Sequence, residues 1–292
     1  MSFSILTDTA ANLPTELLRR EEIAAIPFPY TVHGRQYTCT DTEEFDGARF
    51  YDAMRRGAKV STSLVAPQRY RDSFRRELEA GSDVLFIGMS SGISGSFSCA
   101  ELAARELREE YPGRSIYTVD SLGASLGEGL LALRAAEYRR SGVSVDETAR
   151  LLLALRRRVC QVFTVDDLRY LRRGGRISNA AAIAGTVLHI KPLLKGDPEG
   201  HIVLFAKVRG RKRSIAALAE RYEALVEHAG TQTVGIAHAD CPEDAAALGQ
   251  MLMRSKPPAR ILEVCYEPVT GSHVGPGALA LFFIGGDDVR EK

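Results

Sequence analysis

The sequence predicts an α/β protein with a parallel sheet in its first half and a mixed sheet in its second. Two observations predict the first half. Short apolar runs at residues 3–6, 84–87 and 115–119 have the pattern of strands buried on both faces. Longer segments with helical spacing separate them, and strands that alternate with helices of this length form a parallel sheet covered on both faces. A third observation marks the change. After Arg158 a hairpin pattern interrupts the alternation, which predicts a mixed sheet. With 292 residues the chain is long enough for two cores, so the expected domains are 1–158 and 159–292.

Each element has a local reason. The strand at 3–6 runs into Thr7-Asp8-Thr9, and Asn12-Leu13-Pro14 is a helix start. Residues 23–37 are strand-like with His33-Gly34 as the hairpin turn. Asp41 and Glu44 have capping-box spacing, which predicts a helix through Met54 that Gly57 ends. A hydroxyl-rich stretch, Val60-Ser61-Thr62-Ser63, precedes a helix that opens at Pro67 with Tyr70, Phe74 and Leu78 on one face. The helix after Ser90–Phe97 carries Ala100, Ala103, Leu107 and Tyr111. After the strand at 115–119, Asp120-Ser121-Leu122-Gly123-Ala124-Ser125 leads into a helix with a Leu126, Leu130, Leu133 stripe. Ser144 and Glu147 cap the next helix, to about residue 158.

In the second half, the strand at 161–165 enters a polar stretch ending Arg172-Arg173-Gly174-Gly175-Arg176-Ile177-Ser178, and small residues predict a helix at 180–188. Residues 190–194 and 202–208 flank a Gly-Asp-Pro-Glu-Gly turn as a hairpin. Helices at 214–228 and 242–254 alternate with strands at 233–237 and 260–266. A glycine-rich turn around His273 precedes the last strand at 278–284.

Composition excludes several functions. The formal charge of +1 opposes general nucleic-acid or anionic-membrane binding. No apolar run reaches membrane-spanning length, and the start is strand-like rather than a signal peptide. The five cysteines are scattered without C-x-x-C spacing, which predicts reduced thiols in a cytoplasmic protein and neither a metal site nor a disulfide framework. No phosphate-binding or dinucleotide glycine motif is present.

The chemistry concentrates at Ser90-Ser91-Gly92-Ile93-Ser94-Gly95-Ser96-Phe97. A strand, a hydroxyl-rich glycine turn and a helix place backbone N–H groups and serines at the positive end of a helix dipole, suited to a carboxylate or phosphate. The alternative is a plain turn whose serines cap the helix. Thr7-Asp8, Ser61-Thr62, Ser90 to Ser94 and Asp120-Ser121 all follow predicted strands, and ligands of parallel sheets sit outside the carboxyl ends of the strands. Gly92-Ile93-Ser94-Gly95 lacks the spacing of a G-x-S-x-G nucleophile elbow, and Ser94 has no evident base. The basic runs at 172–176 and 209–213 are either solvated faces or anion-recognising surfaces. His273, between glycines, is either structural or in contact with a ligand.

In order along nearly the whole chain, these motifs resemble the DegV family of fatty-acid-binding proteins. The matching segments are Leu6-Thr7-Asp8 with Asn12-Leu13-Pro14, Ser61-Thr62-Ser63, the 90–96 turn, Val119-Asp120-Ser121 with Gly123, Asp167 to Leu171 with Gly174-Gly175-Arg176-Ile177, Lys191-Pro192, Val208-Arg209-Gly210 and His273-Val274-Gly275-Pro276-Gly277. The resemblance implies two α/β domains holding a long-chain fatty acid between them, with no cofactor and no catalytic residue in the chain. It implies a carboxylate met by Thr62 and Ser94, with His273, Ser61 and Gly95 beside it. Arg176 and Arg209, with Asp120 and Ser121, are implied to serve head-group electrostatics or docking of an ATP-binding fatty acid kinase, which would phosphorylate the presented carboxylate. Membrane contact would be transient, without stable insertion. The resemblance implies a chain of about C14–C20, and burying its tail would contribute ~0.8 kcal/mol per methylene. The competing expectation is an enzyme acting on a small acyl or phosphorylated substrate at the Ser94 turn.

Overall fold

The computed structural model describes residues 3–177 and 189–292. The helix expected at 180–188 lies outside the described residues. Strands β1 (Phe3–Asp8), β2 (Ile23–Ile26), β6 (Asp83–Gly88) and β7 (Ile116–Asp120) form an all-parallel sheet in the order β2-β1-β6-β7. A second sheet has the order β10-β9-β8-β13-β11-β12, from β8 (Val159–Thr164), β9 (Ile190–Gly196), β10 (Ile202–Arg209), β11 (Thr233–His238), β12 (Arg260–Cys265) and β13 (Leu279–Ile284). Its pairs are antiparallel except β11 with β12, so it is mixed, as expected.

Alternation along β1 decides which residues meet which helix. Leu6, with Val84 and Phe86 of β6, packs against Tyr70 and Phe74 of α3 (Pro67–Glu79) and Ala100, Ala103 and Leu107 of α4 (Ser96–Glu110). Phe3 and Ile5, with Leu85 and Ile87, face the opposite way, toward α5 (Leu126–Arg140) and α6 (Val145–Leu155). That cluster continues into Phe163, Ala237, Ala280 and Phe282 of the second sheet. The far face of the second sheet is covered by Ile215, Leu218 and Tyr222 of α8 (Arg211–Leu225) and Leu248 and Leu252 of α9 (Pro242–Ser255).

Three sequence expectations are corrected. Residues 23–37 do not form one hairpin. Only β2 joins the parallel sheet, while β3 (Pro29–Val32) and β4 (Arg35–Thr38) form a hairpin at His33-Gly34, and β3 also pairs with β5 (Val60–Thr62) in a separate antiparallel sheet. The Asp41–Glu44 capping box does not form. The Asp41 carboxylate accepts from Glu43 N and the Thr15 hydroxyl, and α2 (Gly47–Arg55) is capped instead by Asp46, which accepts from Arg49 N at 2.9 Å. Finally, α5 has no single apolar stripe. Leu126 through Ala132, Ala135 and Ala136 are all buried, because the helix is enclosed between the two sheets.

That enclosure explains its glycines. A Cβ on Gly127 would lie 2.9 Å from Gln161 Oε1, and one on Gly129 would lie 2.6 Å from the Ala11 carbonyl oxygen. An ordinary helical Gly→Ala change stabilises by up to ~1 kcal/mol. At Gly129 the obstructing atom is backbone, and overpacking of this kind costs about 1–3 kcal/mol. Gly129→Ala is therefore expected to lower stability by about 1–2 kcal/mol net in denaturant unfolding; an increase would show that α5 has slack against the first turn.

Candidate functional site

Between the parallel sheet, the small sheet and the second half of the chain lies a cavity of about 310 Å³. Its apolar wall comes from Phe28, Met89, Ile93, Ala124, Leu171, Ile202, Val269 and Val274, while Ser63 and Leu64, both exposed, stand at its opening. Its polar groups are Thr62, Ser94, Thr270, His273 and Arg176. Both halves of the sequence therefore build it.

Thr62 ends β5 and presents its side chain inward, whereas alternation turns Ser61 to solvent. Its Oγ1 lies 2.8 Å from His273 Nε2. His273 is not in a turn: it sits on α10 (Pro268–Val274), which also supplies Val269, Thr270 and Val274 to the cavity. Burial, reinforced by Arg176 and Arg173, pushes the imidazole pKa down to about 4, so the ring is neutral near pH 7. Ser94 accepts from Ser96 N at 3.2 Å and keeps its own proton to donate. Arg176 donates from Nε to the Ile93 carbonyl at 3.1 Å and from Nη1 to the Gly174 carbonyl. Its Nη2 makes no bond within the described residues. The cavity thus offers hydroxyl donors, a neutral imidazole and one guanidinium with no ion-pair partner among the described residues, an arrangement suited to an anionic head group on an apolar body.

The other expected site residues go elsewhere. Ser61 is exposed, and Gly95, also exposed, begins α4 outside the cavity lining. Asp120 accepts from Ser91 N and Oγ and from Leu122 N, and the buried Ser121 is closed onto Gly123. Arg209 ends β10 and does not line the cavity. Of the serines in the 90–96 turn, Ser94 alone lines it. Ser90 Oγ donates to the Gly200 carbonyl at 2.9 Å, binding the turn to the β9–β10 hairpin, and Ser96 Oγ accepts from Val65 N. The four strand-end clusters do not converge on one ligand. Two of them meet at the cavity through Thr62 and Ser94, while Thr7-Asp8 and Asp120-Ser121 are engaged in structural hydrogen bonds.

Two features were missed. Thr270 Oγ1 is buried at the cavity with no hydrogen-bond partner among the described residues, and nothing in Pro268-Val269-Thr270 signals it. Gly123-Ala124-Ser125-Leu126-Gly127, by contrast, does have elbow spacing between β7 and α5, and Ser125 adopts φ 54°, ψ −138°. Ser125 is 1% exposed, and its hydroxyl touches no base among the described residues. Ser94 likewise has no base, and no carboxylate bonds His273 Nδ1 among the described residues. Asp197, Glu199 and His201 approach within 4.8 Å of one another in the β9–β10 turn, where Asp197 Oδ1 is occupied by the Glu199 and His201 amides.

A two-sheet α/β fold around an apolar cavity with a polar opening describes a ligand-holding protein. A family model described as "Uncharacterised protein, DegV family" matches residues 2–286, and the chain belongs to the DegV family. It is 37% identical over 289 residues to a DegV domain-containing protein of Clostridium perfringens, covering 99% of each chain. A DegV family protein of Thermus thermophilus, described for its fatty acid binding, superimposes with a TM-score of 0.89 at 31% identity, over 98% of this chain and 100% of that one. DegV of Bacillus subtilis, described as a fatty acid binding protein, does so with 0.82 at 29% identity, over 98% and 100%. Among the described residues no helix is long and apolar enough to cross a membrane.

Beneath the cavity lie three fully enclosed carboxyls. Burial raises Asp8 and Glu267 to about 7, and Glu128 is also raised, by burial and by the nearby Asp8. Glu267 caps α10, accepting from Val269 N and Thr270 N at 2.6 Å each. Groups raised in this way stabilise the fold fully below the ordinary carboxylate range and lose that contribution as pH rises through about 7. His273 acts in the opposite direction, losing stability as pH falls from 6.5 toward 4. Above about pH 6.5 the acids dominate, so the melting temperature is expected to fall between about pH 6.5 and 8. Asp8→Asn with Glu267→Gln should flatten that slope; an unchanged slope would exclude these carboxyls as its source.

Proposed function

We propose that this protein binds a long-chain fatty acid, with its carboxylate at Thr62 and Ser94 and its acyl chain along the apolar wall. The observation that carries this reading is the gathering of Thr62, Ser94, His273 and Arg176 on one otherwise apolar cavity. If His273 Nε2–H donates to Thr62 Oγ1, the Thr62 hydroxyl is left to donate to the ligand, as Ser94 does. Arg176 then supplies the counter-charge through its uncommitted Nη2. Burial of about fifteen methylenes would contribute on the order of 12 kcal/mol before the costs of binding. The fatty acid binding described for the Thermus and Bacillus proteins supports the same ligand class.

The finer reading is that this cytoplasmic carrier presents the carboxylate to an ATP-binding fatty acid kinase. Its support is the position of Thr62 next to Ser63 and Leu64, Leu64 being 50% exposed, which leaves the head group near solvent. No observation favours the alternative of an enzyme using Ser94, whose hydroxyl has no base.

Denaturing mass spectrometry of an organic extract of the purified protein should find a stoichiometric fatty acid of about C14–C20, matched to burial of its methylenes. Thr62→Ala and Ser94→Ala should each weaken binding about tenfold or more, since hydrogen bonds to charged groups contribute ~1.5–3 kcal/mol, with little change in melting temperature. No lipid, even after incubation with a fatty-acid mixture, would overturn the proposal.

A further inference from the structure

The proposed carboxylate site uses Thr62, Ser94, His273 and Arg176, but not Thr270, which lines the same cavity. Val269, Thr270, His273 and Val274 share one face of α10, and helical spacing puts Thr270 between His273 and Val274 on that face. Its Cβ is about 5–6 Å from that of His273, one turn away. On its other side, Val269 packs in one cluster with Phe28 and Met89. Thr270 therefore stands where the polar end of the cavity gives way to the apolar wall.

The local acceptors for its hydroxyl are already in use. A threonine inside a helix can turn its hydroxyl to the carbonyl three or four residues back. For Thr270 these are the carbonyls of Glu267 and Tyr266. The first accepts from Gly271 N at 2.9 Å and the second from the Tyr51 hydroxyl at 2.7 Å. Ser272, on the same helix, does bond back, to the Val269 carbonyl at 2.8 Å. Thr270 Oγ1 is left buried with no partner among the described residues, a position that costs free energy. Threonine divides between two rotamers in helices, so a turn about χ1 is open to it.

We infer that Thr270 selects fatty acids that carry a hydroxyl near the carboxylate, on about the third carbon, and hydrogen-bonds that hydroxyl. The inference rests on the fatty-acid reading. With the carboxylate at Thr62 and Ser94, beside His273, Thr270 meets the acyl chain one helical turn further on. A hydroxyl there gives Oγ1 the partner that the surrounding residues do not. The bond is directional, so it also selects one configuration at that carbon. A plain acyl chain leaves Oγ1 unpaired.

Competition binding of hexadecanoic acid and the two enantiomers of 3-hydroxyhexadecanoic acid to the delipidated full chain tests this. The wild type should favour one enantiomer over the other by about tenfold, the discrimination expected of one buried hydrogen bond. Thr270→Val, which keeps the shape, should lose that preference and bind hexadecanoic acid at least as tightly as the wild type. Thr270→Ser should retain the preference. Equal binding of the two enantiomers by the wild type, a preference that survives in Thr270→Val, or an equal loss for all three acids in that variant overturns the inference and leaves the fatty-acid reading standing. Failure of the wild type to bind hexadecanoic acid overturns the reading itself, and the inference with it.

Discussion

The burial on every side of the first two turns of α5, Leu126 to Ala132, is the constraint from which the rest of the structure follows. A helix between two sheets has to offer small or apolar surface all round, and Gly127, Gly129, Ala132, Ala135 and Ala136 provide it. Because both sheets rest on this one helix, their separation is fixed at its amino-terminal end, where Ala124 forms part of the cavity wall. The turn there is held from the second half by Gln161 Nε2, donating to the Leu122 carbonyl at 2.8 Å, and by the Arg290 guanidinium. Arg290 is 4% exposed and also donates to the carbonyls of Arg156, Val159 and Asp197. A buried cation satisfied by carbonyl oxygens alone is costly, and burial accordingly lowers its pKa to about 10. It ties four backbone carbonyls on three segments, drawn from both halves, to one point beside the cavity wall.

Charge in the cavity follows a related economy. An apolar chamber can keep a full set of cations only at high cost. Arg176 meets this by spending two of its nitrogens on the Ile93 and Gly174 carbonyls. His273 meets it by staying neutral, which its burial and the neighbouring arginines both favour. Hydroxyls carry no charge, so Thr62 and Ser94 can remain unpaired with any ligand at modest cost. The carboxyls beneath the floor are neutralised in the same sense, by raised affinity for protons rather than by ion pairs.

Much of this fold was legible because periodicity reports burial. The alternation through residue 158, the hairpin around Asp197 and the proline-started helices at Pro67 and Pro242 all appear where the pattern put them. The failures have common physical causes. Capping boxes are local signals, and Asp41 was drawn away by Thr15, a partner 26 residues distant. The 23–37 segment alternates equally well in either sheet, and the separate role of β3 depends on β5, which comes later in the chain. His273 looked like a loop residue because glycines surround it, yet Pro268 and Glu267 begin a helix six residues earlier. Thr62, Ser94, His273 and Arg176 were recoverable from motif resemblance, whereas Thr270 has no pattern at all, only a position on α10.

The hydroxyl-rich turns show most clearly where residue type stops predicting role. Ser90, Ser91, Ser94 and Ser96 are chemically alike and lie within seven residues, yet they have four different partners. Ser90 ties the turn to the hairpin of the second half, at a place where Gly92 is also needed because a Cβ would lie 2.8 Å from Gly200 C. Ser91 anchors it to Asp120, and Ser96 satisfies Val65 N at the edge of the small sheet. Each of these bonds saturates a backbone or carboxylate group that the turn would otherwise leave unpaired. Ser94 is the member that lines the cavity, and its neighbours hold the turn that places it there. Their fixation sets the direction of the Ser94 hydroxyl, so its position on the cavity wall depends on serines that do not line the cavity.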